Sequence, residues 1–219
     1  MRRAARSSRR AALLAAATVL AGAGAAQAAI LQRGPVVTQA RADGALVSWR
    51  TFAPARASLR IAGREIVLRN ATADAAVRIR GLRPGRRYAY ALLGDGVVIG
   101  RGSLRTSPPA TGPVARTRFR AVVFGDYGEA PSGTAPLPQV ALARVAAAQR
   151  PDLLVTTGDN VYPASMPSRF DPQVFLPLRP LLARASWVVA LGNHDQILDD
   201  GSAFLDALRL PGAERWYVA

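Results

Sequence analysis

The sequence predicts an all-β sandwich over residues 30–107, a linker over 108–117 and an α/β unit over 118–219. Three observations carry this reading. From about residue 30 to 107 the apolar residues recur with a period of two, punctuated by turn pairs every ten or so residues. Between 119 and 195, three apolar runs each stop at a glycine followed by a polar residue able to bind a cation. Between these regions, Pro108, Pro109, Gly112 and Pro113 sit in a stretch with no periodic apolar pattern.

At the amino end, Arg2, Arg3, Arg6, Arg9 and Arg10 precede an apolar run from Ala11 to Ala21, and Ala26-Gln27-Ala28 is a small-x-small cleavage site. Residues 1–28 therefore read as an export signal, with Ala29 the expected mature start and a periplasmic or secreted destination. The run is too short for a stable membrane anchor. Ser8-Arg9-Arg10-Ala11-Ala12-Leu13 partly matches a twin-arginine signal, with Ala12 where an aromatic is usual, so the export route stays open.

In the expected sandwich, Ala45, Val47 and Trp49 alternate with Leu46, Ser48 and Arg50. Val77 and Ile79 alternate with Arg78 and Arg80, and Tyr88, Tyr90 and Leu92 share one side of a later run. Asp43-Gly44, Ala62-Gly63, Pro84-Gly85 and Gly94-Asp95-Gly96 supply the turns, which makes about seven short strands. Nothing in this region looks catalytic.

In the second unit, residues 119–124 lead into Gly125-Asp126-Tyr127-Gly128. Residues 153–157 lead into Gly158-Asp159-Asn160-Val161-Tyr162, and 187–191 into Gly192-Asn193-His194-Asp195. The runs are short and β-branched, as strands buried on both faces should be. Residues 138–149 and 172–183 are long enough for helices, giving β-α-β-α-β with parallel strands and all three motifs at the carboxyl edge of one sheet. A single Gly-Asp after a strand is ordinary turn chemistry. Three in succession, one crossover apart, bring Asp126, Asp159 and Asn193 to one small volume, since neighbouring strands lie about 4.8 Å apart. An aspartate on the middle element can then bridge two cations.

Composition bounds the chemistry. The 219 residues contain no cysteine, which excludes disulfides, thiolate metal sites and cysteine catalysis. The net charge is +15, and every basic residue is arginine. Residues 29–118 hold sixteen arginines against four acids, whereas residues 119–219 hold eight against ten. The basic excess thus avoids the motif-bearing part and runs through the whole remainder, as a solvated surface does. It does not mark a phosphate footprint, and nucleic-acid binding is not favoured.

In this order, GDYG, GDNVY and GNHD resemble the first three motifs of the calcineurin-like metallophosphoesterases. Tyr162, three residues after Asp159, resembles the GDxxY pattern of the purple acid phosphatases, whose matching tyrosine binds ferric iron and gives the colour. Leu82-Arg83-Pro84-Gly85-Arg86-Arg87-Tyr88 resembles the tyrosine corner of fibronectin type III domains, with Trp49 as the core tryptophan, and such a domain also precedes the larger purple acid phosphatases. The resemblance implies that Asp126 and Tyr162 bind a first metal, Asp159 bridges, Asn193 binds a second, and His194 faces the phosphate and assists the leaving group. It implies a dinuclear centre of Fe(3+) with a divalent iron, zinc or manganese ion, and a phosphomonoester substrate.

The sequence departs from that pattern in two places. Asp195 stands where purple acid phosphatases usually have glutamate. The family also completes its site with a lone histidine and a GHxH motif, whereas His194 is the one histidine of these 219 residues. The chain is accordingly expected to be an amino-terminal fragment with little turnover alone, because the second metal has only Asp159 and Asn193. The alternative from a different class is a secreted binding module whose half-site is a remnant.

Overall fold

A computed structural model describes residues 29–109, 119–128 and 137–209. The expected export signal and most of the expected linker lie outside them. Seven strands form the first unit: β1 (Leu31–Arg41), β2 (Gly44–Ala55), β3 (Ala57–Ile61), β4 (Arg64–Val67), β5 (Thr72–Ile79), β6 (Arg87–Gly94) and β7 (Val97–Arg105). They make a sandwich, with β5-β2-β1 on one side and β4-β3-β6-β7 on the other, every pairing within it antiparallel. The period-two residues fill its core. Val37, Val47, Trp49, Leu59, Val77, Ile79, Tyr90, Leu92 and Leu104 are all buried together. The tyrosine corner is present, with the Arg83 backbone N–H donating to the Tyr88 hydroxyl at 2.9 Å.

The second unit contributes β8 (Ala121–Phe124), β9 (Leu153–Thr156) and β10 (Ser186–Val189), with α1 (Leu137–Ala148) between the first two. The three strands are parallel and adjacent in the order β10-β9-β8. Their core gathers Leu154, Val174, Phe175, Leu178, Leu182, Trp187 and Phe204.

Three features differ from the sequence reading. In place of the helix expected over 172–183 there are a π-turn (Asp171–Phe175), which follows directly on α2 (Pro167–Phe170), and α3 (Arg179–Leu182). Pro172, Pro177 and Pro180 each lack the N–H that an uninterrupted helix needs and crowd the preceding turn, so only short pieces survive. Strand β8, expected to be buried on both faces, alternates, with Val123 59% exposed. It is the edge strand of its sheet, and no described residue covers its outer side. Finally, the two units share a sheet. β1 pairs in parallel with β10 through Thr38 and Trp187, giving one six-stranded sheet β5-β2-β1-β10-β9-β8. Strand alternation explains how: Val36 packs into the α/β core and its neighbour Val37 into the sandwich core.

Side-chain contacts reinforce that junction. The Tyr90 hydroxyl donates to the Ala183 carbonyl at 2.9 Å, and the Ser103 N–H donates to the same oxygen at 3.0 Å. Arg33 pairs with Asp171 at 2.6 Å and lies 4.2 Å from the centre of the Phe175 ring. Asp152, 4% exposed at the start of β9, accepts from Arg105 of β7 at 2.9 Å and from Arg87 of β6. Alanine at position 152 would leave both guanidiniums without their carboxylate, but Arg87 is half in water and loses less. The expected cost is about 2 kcal/mol, or a melting midpoint lower by roughly 4–8 °C. A thermal melt of Asp152→Ala checks it, and an unchanged midpoint would show that the pair holds nothing together.

Candidate active site

The parallel register aligns Ala121 with Leu153 and Leu153 with Ser186, so β8, β9 and β10 all run toward the same edge. Just beyond their ends lie Gly125-Asp126, Gly158-Asp159 and Gly192-Asn193, the last opening the short helix α4 (Asn193–Gln196). The loops are stitched together by backbone bonds, Thr157 N–H to the Phe124 carbonyl at 3.0 Å and Asp126 N–H to the Gly158 carbonyl at 3.2 Å. Asp126 and Asp159 both adopt φ of 50°, a left-handed conformation uncommon for a side-chain-bearing residue. Such strained positions persist where the surroundings hold them, and they gather at functional sites. Gly192 has to be glycine, because a Cβ there would overlap the Asp159 carboxylate.

Three of the expected ligands meet directly. The Tyr162 hydroxyl lies 2.8 Å from Asp126 Oδ1 and 3.1 Å from Asp159 Oδ2, so its one hydrogen is shared between two carboxylates. Partial burial pushes the Tyr162 phenol above its ordinary pKa, and the hydrogen bonds and charges of Asp126 and Asp159 push it further. The other Asp159 oxygen, Oδ1, accepts the His194 backbone N–H at 3.0 Å. The His194 ring stacks on Tyr162, with centres 4.3 Å apart and planes tilted by 36°. Its Nδ1 is 2.8 Å from the Pro163 carbonyl, which can only accept; Nδ1 therefore carries the hydrogen, and Nε2 is the nitrogen left for other chemistry. Asn193 stands between Gly192 and His194 at the same edge. It is exposed, and its side chain lies outside the hydrogen-bonded cluster.

Beneath this layer is a set of positioning residues that the sequence reading did not assign. Asp195 is fully buried and accepts four N–H groups. These are the backbone N–H of Asn160 at 3.0 Å, of Val161 at 3.0 Å and of Gly192 at 2.9 Å, and the Asn160 side-chain amide at 2.7 Å. One carboxylate thus fastens the loop after β9 to the loop after β10. Asn160 also accepts the Tyr127 hydroxyl at 2.9 Å and donates to the Ala190 carbonyl at 2.9 Å, which adds the loop after β8. Burial, with the nearby Asp195 charge, pushes the Tyr127 phenol far up and keeps it a neutral donor. Gln173 brackets the Tyr162 backbone, accepting its N–H and donating to its carbonyl, both at 2.8 Å. The only sequence signal for this layer was membership of the same motifs: Asn160 follows Asp159, and Asp195 follows His194.

Two carboxylates and a phenol within hydrogen-bond distance form a hard oxygen set suited to a hard cation, which would replace the shared hydrogen among them. Among the described residues, no three His, Cys, Asp or Glu side chains cluster closely enough to hold a metal on their own. The set is completed by a phenol.

Residues 119–218 match the family model for calcineurin-like phosphoesterases. This part of the chain is a calcineurin-like phosphoesterase domain. The fold of the whole is similar to that of purple acid phosphatase PPD1 from yellow lupin (Lupinus luteus) seeds. That likeness has a TM-score of 0.56 and 19% identity, over 74% of this chain and 36% of the lupin protein. It is similar also to PhoD, with a TM-score of 0.52 and 15% identity, over 78% of this chain and 42% of PhoD. The match therefore covers less than half the length of either structure. No curated protein matches it in sequence. The phosphoesterase domain contains all three strand-end motifs, and the sandwich packs against the side of its sheet at β10.

Proposed function

We propose that this protein hydrolyses phosphomonoesters at a dinuclear metal centre held by the strand-end motifs, in the manner of an exported purple acid phosphatase. The observation that carries the proposal is the Tyr162 hydroxyl set between the carboxylates of Asp126 and Asp159 at the carboxyl edge of the sheet. Asp126 and Tyr162 would hold a ferric ion, Asn193 a divalent iron, zinc or manganese ion, and Asp159 would span the two. When bound, the pair supplies Lewis acidity toward the phosphate oxygens and acidifies the attacking water.

The remaining steps belong to the chain's own groups. The loops fastened by Asp195 hold the ligand carboxylates at fixed spacing, so little reorganisation is needed during reaction. His194 is anchored through Nδ1 and presents Nε2 outward. The attacking water gives a proton to bulk solvent as its oxygen bonds to phosphorus, and the P–O bond to the alcohol breaks. Protonated His194 then gives its Nε2 hydrogen to the leaving oxygen. Among the described residues no helix is long and apolar enough to cross a membrane. The amino-terminal signal pattern of residues 1–28 is what supports an exported protein.

In iron-loaded protein, the Tyr162 phenolate should give a visible charge-transfer band. Tyr162→Phe is expected to abolish the band and leave the melting midpoint within about 4 °C, since a half-buried hydroxyl contributes roughly 1 kcal/mol or less. Visible absorption with iron analysis checks this, and a band that survives the substitution rules Tyr162 out as the ligand.

A further inference from the structure

Two cavities, of about 490 Å³ and 430 Å³, lie side by side where the sandwich meets the phosphoesterase domain, and they share Arg101, Pro180 and Arg184 in their walls. Together they form one furrow. Five arginines line it, Arg87, Arg101, Arg150, Arg179 and Arg184, and no acidic residue does. Arg87 is taken up by Asp152, and Arg179 donates through Nε to the Gly34 carbonyl at 3.0 Å. Arg101, Arg150 and Arg184 are exposed and make no ion pair or side-chain hydrogen bond with any described residue. Three cationic forks from three different segments therefore face one space, and no described residue neutralises them. Between them Leu31, Leu176 and Pro180 give the furrow a partly apolar wall.

We propose that this furrow is a second, non-catalytic binding site for a small organic anion, with a sulfonate-, phosphate- or carboxylate-type head and an apolar body. Its chemistry follows from the walls. A guanidinium offers a planar fork of donors that matches a tetrahedral or carboxylate anion. The leucine and proline surface takes up the apolar remainder, and the volume is that of a site for a small molecule. Elsewhere on the sandwich the concavities lined by arginines also hold an acid, Asp43 beside Arg41, Arg78 and Arg80, and Glu65, paired with Arg60, beside Arg64. Here the arginines converge on a concavity built jointly by β6, β7 and the segments that precede β9 and β10.

Position separates the furrow from the candidate active site. Arg150 precedes β9 and Arg184 precedes β10, whereas Asp159 and Asn193 follow the same strands. A four-residue strand is roughly 13 Å long, so the two sites sit at opposite edges of the sheet. The furrow's existence does not depend on the proposed hydrolysis. Because it spans the junction, an occupant would hold the two units together and raise the stability of the whole by mass action.

The test is isothermal titration of the full chain, stripped of metal with a chelator, with naphthalene-2-sulfonate, which cannot be hydrolysed as a phosphoester. One molecule should bind per chain, and binding should weaken severalfold when salt rises from about 0.05 to 0.5 M. Sulfate alone and the uncharged naphthalene-2-methanol should each bind at least about tenfold more weakly, because each lacks one half of the recognition. Arg101→Ala combined with Arg184→Ala should weaken binding about tenfold or more with an unchanged melting midpoint, since neither side chain holds the fold. Arg150→Ala, a single exposed change, should weaken it about threefold and serves if the double variant misfolds. Asp126→Ala, at the other edge, should leave binding unaltered. Equal binding of the neutral alcohol, equal binding of sulfate, or insensitivity to the arginine changes would each overturn the proposal. Loss in Asp126→Ala would place the sulfonate in the active site and overturn it as well.

Discussion

Asp159→Ala is expected to lower phosphomonoester hydrolysis by about a thousandfold, measured in metal-loaded protein that also carries the lone histidine and GHxH motifs completing the family's site, equivalent to roughly 4 kcal/mol of transition-state stabilisation. The size follows from how many jobs the side chain has. Asp159 Oδ2 meets the Tyr162 hydroxyl, Oδ1 takes the His194 N–H, and the residue lies on the middle of the three strand ends, where one carboxylate can reach both cations. Removing it weakens metal retention and frees the loop that presents His194. Metal content after gel filtration should fall along with kcat/KM, and most of the loss should appear in kcat. A variant that keeps both metals and hydrolyses 4-nitrophenyl phosphate within tenfold of the parent would sink the assignment. Asp126→Ala is the comparison, since it serves one cation only and should retain part of the bound metal.

How much of this arrangement is legible in the sequence depends on whether the signal is local. The sandwich is legible because alternation is a property of adjacent residues: Val47 and Trp49, or Val77 and Ile79, face one core by strand geometry alone. The strand-end motifs are legible because a glycine and a metal-binding side chain after an apolar run repeat three times. The broken helix over 172–183 should have been legible too. Its prolines state the interruption, and a length sufficient for a helix does not outweigh them. The pairing of β1 with β10 is another matter. Nothing in residues 31–41 or 186–189 names the other as neighbour, and the contact joins segments nearly 150 residues apart. The positioning layer is hidden for a related reason. An aspartate in Gly192-Asn193-His194-Asp195 reads as one more surface or ligand carboxylate, and only burial reveals that its partners are backbone N–H groups of another loop.

Asp195→Ala is expected to destabilise the phosphoesterase domain by about 4 kcal/mol, lowering the melting midpoint by roughly 10 °C. The truncation strands four donors that now point at one carboxylate: three backbone N–H groups, of Asn160, Val161 and Gly192, and the Asn160 amide. Each buried donor left without a partner costs on the order of 1–3 kcal/mol. Water entering the space vacated by the carboxylate can satisfy one or two of them, which holds the total near the lower end of the sum. Asp195→Asn should fall between parent and alanine, because one oxygen still accepts while the new NH₂ faces N–H groups that also donate. A purely structural role would leave catalysis untouched well below the midpoint. The geometry predicts otherwise, because the same carboxylate fixes Gly192, on which Asp159 packs, and Val161, which precedes Tyr162. Hydrolysis at a temperature where Asp195→Ala is fully folded should therefore still drop about ten- to a hundredfold, as loss of a partner behind metal ligands does. Circular dichroism melts and rates measured about 20 °C below the variant's midpoint separate the two effects. A variant as stable as the parent would show that the buried carboxylate is not the fastening between the loops, and one as active when folded would show that the fastening does not set the geometry of the site.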